Sequence, residues 1–298
     1  MLDIAVDRDE LAEAIASADG VRYRLSPLCM RCTYPVFKGE ADGKPPVFVK
    51  VGTADEWHRT LGLLRDVGAC GFFPRLMSES RIEYHGLVVF VMEWKESKVV
   101  FPEDMTERQA DDFADACVKL SEALQGARDF SPIAGSPLAP EALYEDLARY
   151  VRNHPVAGRL LKGLASVPAA RRTFGARPLS VVHGDFHAKN FGFADDGFAC
   201  VFDFDKLTQG LACGDLTNAL VERFSSLGLS AAARRRLDVV ARRIVARTPW
   251  PREEFAISCN VARLQFAARR LRKHPGSAWV ALDILRRDRR IREFLSVL

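Results

Sequence analysis

A chain of 298 residues, 48% hydrophobic and 28% charged, has ordinary soluble composition and exceeds the usual single-domain size, which predicts two modest domains or one two-lobed enzyme. No segment approaches the roughly 20 apolar residues of a membrane helix, and the acidic start "MLDIAVDRDE" lacks a basic-then-apolar signal pattern, so the sequence predicts a cytoplasmic protein with no membrane partner. The net charge of +4 conceals an asymmetry: residues 231–298 hold 17 Lys and Arg against 6 Asp and Glu, a local +11, which leaves −7 for residues 1–230.

Residues 1–95 are strand-rich. The runs "VRYRLSP", "TYPVFKGE", "PPVFVKVG", "RIEYHG" and "LVVFVMEW" are short and rich in β-branched or aromatic residues, and Asp42-Gly43 in "EADGKPP" is a strong hairpin signal. Between the third and fourth runs, Trp57, Leu61 and Leu64 recur at helical spacing before the stop-like Gly68. From about residue 104 the period changes. Phe113, Cys117, Leu120 and Leu124 share one face of a long helix, with Thr106 and Gln109 spaced as a capping box. Helical patterns follow at 141–153 and 157–166, then a strand interlude from "LSVVHGDF" to "VFDFD". Helices are then predicted at about 215–226, 230–247, 252–273 and 278–296. The pattern is α+β: a β-rich part over 1–95 precedes a mainly helical part over 96–298 that contains one polar hairpin.

Seven cysteines scattered along the chain do not resemble a disulfide framework. Cys29 and Cys32 form a lone C-x-x-C without a second pair or a nearby His pair, which predicts ordinary strand cysteines in place of a zinc site. In the basic C-terminal part Leu237, Val240, Ile244 and Val245 recur at helical spacing with arginines between them, so solvated helix faces account for most of the charge. An anionic partner such as nucleic acid is the alternative.

The polar hairpin holds the chemistry. Asp185, Asn190 five residues on, Asp203 eighteen residues after Asp185, and Asp205 supply hard oxygen donors suited to Mg²⁺, with one group available to accept a proton. Phosphoryl transfer needs that division of labour, because the protein mainly positions groups and neutralises charge on the transferring phosphate. "HGDFHAKN" at 183–190 and "VFDFDKL" at 201–207 together resemble the catalytic loop and metal-binding strand end of the aminoglycoside phosphotransferase and choline kinase family. Gly184 and His187 favour this small-molecule branch over protein kinases.

The resemblance implies a two-lobed protein-kinase-like fold, with a nucleotide-binding N-lobe over 1–95 and a helical C-lobe over 96–298 that carries the acceptor site. It implies Asp185 as catalytic base, and Asn190 and Asp203 as Mg²⁺ ligands with Asp205 in support. His183 and Asp215 would give structural support. His187 and Lys189 would contact either a phosphate or the acceptor. Lys50 would pair with phosphates of ATP or GTP, with Glu56 as the lysine's helix partner, although Glu56 lies about one turn early for that role. Met92, Glu93 and Trp94 resemble the hinge, where backbone groups read the base. The turn "PLCMRCTYPVF" has no glycine-rich loop, so Thr33, with Arg31 and Cys32, is the candidate to cover the phosphates.

Two charge cues about the acceptor conflict. Glu103, Asp104, Glu107, Asp111, Asp112 and Asp115, together with Glu141, Glu145 and Asp146, could attract a cationic amine, or simply form solvated helix faces. The basic C-terminal helices point toward an anion. The reading is therefore an ATP- and Mg²⁺-dependent kinase of a small hydroxylated molecule (sugar, amino alcohol or aminoglycoside-like antibiotic), acting as a monomer or loose dimer. A protein kinase or nucleotide-binding pseudokinase module is the first alternative, disfavoured by the roughly ten residues between "DFDKL" and Asp215. A nucleic-acid-binding surface on the Arg-rich tail is the second.

Overall fold

The computed structural model describes residues 6–29, 35–67, 71–78, 80–126, 140–155, 158–159, 180–195, 197–203 and 207–296. The chain forms two compact units. The first is Met1–Ser97 with Gly126–Ser131 and Ala199–Asp205; the second is Lys98–Gln125, Pro132–Phe198 and Lys206–Leu298.

In the first unit α1 (Arg8–Asp19) precedes β1 (Arg24–Cys29), β2 (Val36–Glu40), β3 (Val47–Gly52), α2 (Ala54–Val67), β4 (Ile82–Tyr84) and β5 (Leu87–Glu93). The five strands form one antiparallel sheet in the order β1-β2-β3-β5-β4. Alternation along β3 sends Val47, Val49 and Val51 into a core with Leu11 and Ile15 of α1, while Trp57 of α2, Phe90 and Met92 form a second cluster. The strand patterns do not foresee α1. Its signals are nonetheless local: Asp7 accepts from the N–H groups of Asp9 and Glu10, and Gly20 closes the helix at φ +71°, a conformation that favours glycine. The Asp7 N–H donates to the Tyr84 hydroxyl at 3.0 Å, tying the helix start to β4.

The second unit opens with a 3-10 turn over Pro102–Asp104, then α3 (Glu107–Gly126) and α4 (Pro140–Asn153). Strands β6 (Ser180–Val182), β7 (Phe191–Ala194), β8 (Gly197–Val201) and β9 (Thr208–Gly210) follow, β8 continuing into the first unit, where the Val201 N–H donates to Phe72 O at 2.8 Å. The chain ends in α5 (Gly214–Phe224), α6 (Ala231–Arg247), α7 (Arg252–Lys273) and α8 (Ala278–Leu295). The helix start at α3 carries its capping box: the Gln109 N–H donates to Thr106 Oγ1 at 3.2 Å, and the Thr106 N–H to Gln109 Oε1 at 3.0 Å. The pattern at 157–166 lies almost wholly outside the described residues. Phe113 of α3 is fully buried against the rings of Phe186, Phe191, Phe193 and Phe198, with centroids 4.7–6.5 Å away. This aromatic cluster seats the segment that carries Asp185. Among the described residues no helix is long and apolar enough to cross a membrane. Cys117, Cys200, Cys213 and Cys259 are buried free thiols, and burial pushes Cys200 up to about 11 and Cys213 up to about 12.

The acidic and basic segments find each other. Arg223 of α5 pairs with Glu103, its Nε 3.0 Å from Oε2, and stacks on Phe101 at 4.2 Å. From α6, Arg236 reaches Asp104 at 3.3 Å, Arg243 reaches Glu107 at 2.6 Å and Asp111 at 2.7 Å, and Arg247 reaches Asp115 at 2.6 Å. The expectation of solvated faces is thus refined, since part of each set meets the other in one ladder. Hydrogen bonds from Arg243 hold Asp111 below its usual value.

Replacing Phe113 by Ala is expected to cost about 3–5 kcal/mol in urea unfolding, from lost contacts plus a cavity. Arg223→Ala leaves Glu103, only 5% exposed, without its guanidinium, and about 3–5 kcal/mol should be lost. Arg243→Ala on the exposed part of the ladder should lower Tm far less, and less still in molar salt.

Candidate functional site

The loop after β6 is built around one buried carboxylate. Asp215 sits in the first turn of α5 and accepts from the His183 N–H at 2.8 Å and the Gly184 N–H at 3.1 Å. Gly184 adopts φ +76°, which lets two successive N–H groups converge on one acid. The next link is the Asp185 N–H, which donates to His183 Nδ1 at 3.4 Å, while the His183 ring packs edge-on to Phe186 at 5.7 Å. Asn190 Nδ2 donates to the Asp185 carbonyl at 2.9 Å, and the Asn190 N–H to His187 O at 2.8 Å. With its NH₂ group donating to a carbonyl, the Asn190 amide keeps Oδ1 as an acceptor atom. Burial raises the Asp215 pKa, against the opposing effects of the His183 charge and the two N–H bonds.

Around the same loop, His187 Nε2 lies 3.9 Å from Asp185 Oδ2, and His187 Nδ1 accepts from the Lys189 N–H at 3.3 Å. Lys189 itself is exposed. Asp185, His187, Lys189, Asn190, His183 and Asp215 therefore belong to one connected group in the second unit.

The first unit gathers a separate set. Alternation on β3 places Lys50 on the sheet face opposite Val49 and Val51, in register with Phe90. Its side chain is 14% exposed and its Nζ is 3.6 Å from Asp203 Oδ1. Asp203, 47% exposed on its side chain, adopts φ +60°, a left-handed conformation that aspartate enters more readily than most residues other than glycine. Glu56 is buried and its Oε2 accepts from the Thr53 N–H at 2.7 Å, while the Glu56 N–H donates to Thr53 Oγ1 at 3.2 Å. This capping box at the start of α2 explains why Glu56 comes so early in the helix, and T-x-x-E at 53–56 is its signature.

Met92 and Glu93 lie within β5. The Glu93 N–H donates to Arg75 O at 2.7 Å, its carboxylate meets Arg75 at 3.3 Å, and Trp94 Nε1 donates to Glu96 at 2.9 Å. Both side chains are occupied within their own unit. Thr33, Arg31, Cys32 and Asp205 lie outside the described residues.

A cavity of about 50 Å³ adjoins the loop at Gly184, and Gln209, Asn218 and Gln265 line it. The sequence patterns single out none of these three, because a lone amide carries no spacing signal.

Residues 44–255, more than two thirds of the chain, match the model of the phosphotransferase enzyme family, APH. No curated protein matches the chain. Its structure is similar to an aminoglycoside phosphotransferase from Alicyclobacillus acidocaldarius, with TM-score 0.67, 13% identity, and coverage of 100% of this chain and 96% of that one. It is also similar to a thermostable variant of aminoglycoside phosphotransferase APH(4)-Ia in ternary complex with AMP-PNP and hygromycin B (TM-score 0.63, 14% identity, 95% and 98% coverage). A third likeness is to amicoumacin kinase hAmiN in complex with AMP-PNP, Ca²⁺ and Ami (TM-score 0.60, 12% identity, 90% and 88% coverage). At such identities the likeness is one of fold, the α+β protein-kinase-like fold.

Asp215→Ala leaves the His183 and Gly184 N–H groups without their acceptor, and a loss of about 1–3 kcal/mol per group is expected in urea unfolding. Because the folded pKa of Asp215 is raised, its contribution is full below the usual carboxylate range and declines as pH rises through the folded value. The stability of wild type relative to Asp215→Asn should accordingly fall with rising pH across that window, measured by denaturant titration at several pH values.

Proposed function

Because the chain belongs to the phosphotransferase enzyme family, we propose that it is a small-molecule kinase that moves the γ-phosphoryl group of ATP or GTP to an alcohol hydroxyl of a sugar, amino alcohol or aminoglycoside-like antibiotic. The observation that carries the reading is the loop held by Asp215, which fixes Asp185 and Asn190 together through backbone hydrogen bonds on both sides. In this reading residues 1–95 serve as the nucleotide-binding lobe, and residues 96–298 as the catalytic and acceptor-binding lobe, in a cytoplasmic monomer or loose dimer.

Asp185 orients the acceptor hydroxyl and takes its proton, and His183 and Asp215 hold it in place. Lys50 pairs with nucleotide phosphates, its ammonium already aligned by Asp203. Glu56 supports that strand end through Thr53. Backbone groups of Met92, Glu93 and Trp94 face the base, and Thr33 covers the phosphates. His187 and Lys189, adjoining Asp185, contact the phosphate or the acceptor.

Asn190 Oδ1 and the Asp203 carboxylate, with Asp205 in support, are oxygen donors of the kind that Mg²⁺, a hard cation, prefers. These residues would hold Mg²⁺, which would neutralise charge on the phosphates. The protein's own part is positioning and proton acceptance.

The nucleic-acid reading of the Arg-rich tail loses ground to a specific observation, since Arg236, Arg243 and Arg247 are engaged by acids of the same chain.

The purified protein should release ADP in an acceptor-dependent way with Mg²⁺, stop on chelation with EDTA and recover on Mg²⁺ addition. Asp185→Asn should keep the wild-type Tm and lose roughly 10²–10⁴-fold in kcat. Unchanged turnover in that variant would refute the proposed base. Lys50→Met should act chiefly on KM for ATP.

A further inference from the structure

The cavity beside Gly184 is polar yet carries no charge. Thr208 and Gln209 of β9, Asn218 of α5, and Ser258 and Gln265 of α7 supply its polar groups, and no Asp, Glu, Lys, Arg or His is among its described lining residues. Ser258 Oγ is engaged by Thr217 Oγ1 at 2.6 Å. The three amides differ, because among the described residues Gln209, Asn218 and Gln265 have no side-chain hydrogen-bond partner. A carboxamide both donates and accepts, which matches a hydroxyl that does the same.

Charge excludes the other candidates. A cationic amine requires carboxylates, and the described lining offers none. A sugar phosphate requires Lys or Arg, and the described lining offers neither. Size narrows the class further. A volume of about 50 Å³ holds roughly three to five water-sized groups at ~10–15 Å³ each, enough for a hydroxymethyl or diol end but not for an aminoglycoside ring system.

Resting on the kinase reading above, we infer that this cavity receives the hydroxyl-bearing end of an uncharged polyol or sugar, and that Gln209, Asn218 and Gln265 set that preference. With that end held in the cavity, a further hydroxyl of the acceptor, presented to Asp185 outside it, forms a bond from its oxygen to the γ-phosphorus as the bond from that phosphorus to the β,γ-bridging oxygen breaks. ADP leaves, and the hydroxyl proton passes to the Asp185 carboxylate.

The test measures ADP release by the full chain with ATP and Mg²⁺ for mannitol, ribitol and glucose, for glucosamine and kanamycin, and for glucose 6-phosphate. The neutral set should lead, with glucose exceeding glucosamine and glucose 6-phosphate by ~10-fold or more in kcat/KM. Asn218→Leu and Gln265→Leu should each raise KM for the neutral acceptor ~10-fold or more, with KM for ATP and Tm near wild type. Asn218→Asp should shift the preference toward glucosamine. Preference for glucosamine or kanamycin in the wild type, or an unchanged acceptor KM in both Leu variants, would overturn the assignment. Protection against thermal unfolding by mannitol with AMP-PNP, without any ADP release, would keep the polyol pocket and defeat the kinase reading. Neither release nor protection from the neutral set would overturn both.

Discussion

One carboxylate organises the loop that carries Asp185. Asp215 is buried on the first turn of α5, and the two N–H groups it accepts belong to His183 and Gly184, the residues that lead into Asp185. A buried N–H without a partner is costly, so the loop keeps its conformation as long as Asp215 is in place. His183 transmits that constraint to the Asp185 N–H, and Asn190 fixes the Asp185 carbonyl from the other side. Phe186 and Phe191, next to these polar residues, anchor the segment in the aromatic cluster around Phe113. Polar groups are thus held by backbone bonds, and the rings between them supply the burial.

Electrostatics in the second unit is arranged for assembly. Acids on and before α3 and arginines of α5 and α6 are 120 to 136 residues apart in sequence, yet they meet as a ladder. Among the described pairs of this ladder Arg223 and Glu103 are the most buried, and that pair carries the larger energetic consequence. The remaining pairs are exposed and their individual worth is small.

Much of this was legible in the sequence. The five strand runs, the long amphipathic α3 and the four C-terminal helices followed from periodicity, because each buries one face against a core. Less visible was α1, a 12-residue helix whose buried residues Leu11, Ala12 and Ile15 make only a narrow stripe amid charged neighbours. The loop residues could be picked out by their spacing, and the T-x-x-E of Thr53 and Glu56 was equally readable as a cap. What sequence could not supply was partnership across long separations. It presented an acidic segment and a basic segment as rival clues to a ligand, whereas the fold joins them. Nor could it bring Gln209, Asn218 and Gln265 together, since they stand on three different elements.

The left-handed backbone at Asp203 has a bearing on how that position tolerates change. Glycine, asparagine and aspartate enter this region readily, whereas a β-branched side chain is strained there by about 1–3 kcal/mol. Sequence variation at residue 203 is therefore filtered by conformation before chemistry is ever consulted. Of the residues that pass, only two carry an oxygen, and only aspartate carries charge. The geometry of a single peptide unit thus narrows the residue's evolutionary alphabet almost to the one letter that ligand chemistry would choose.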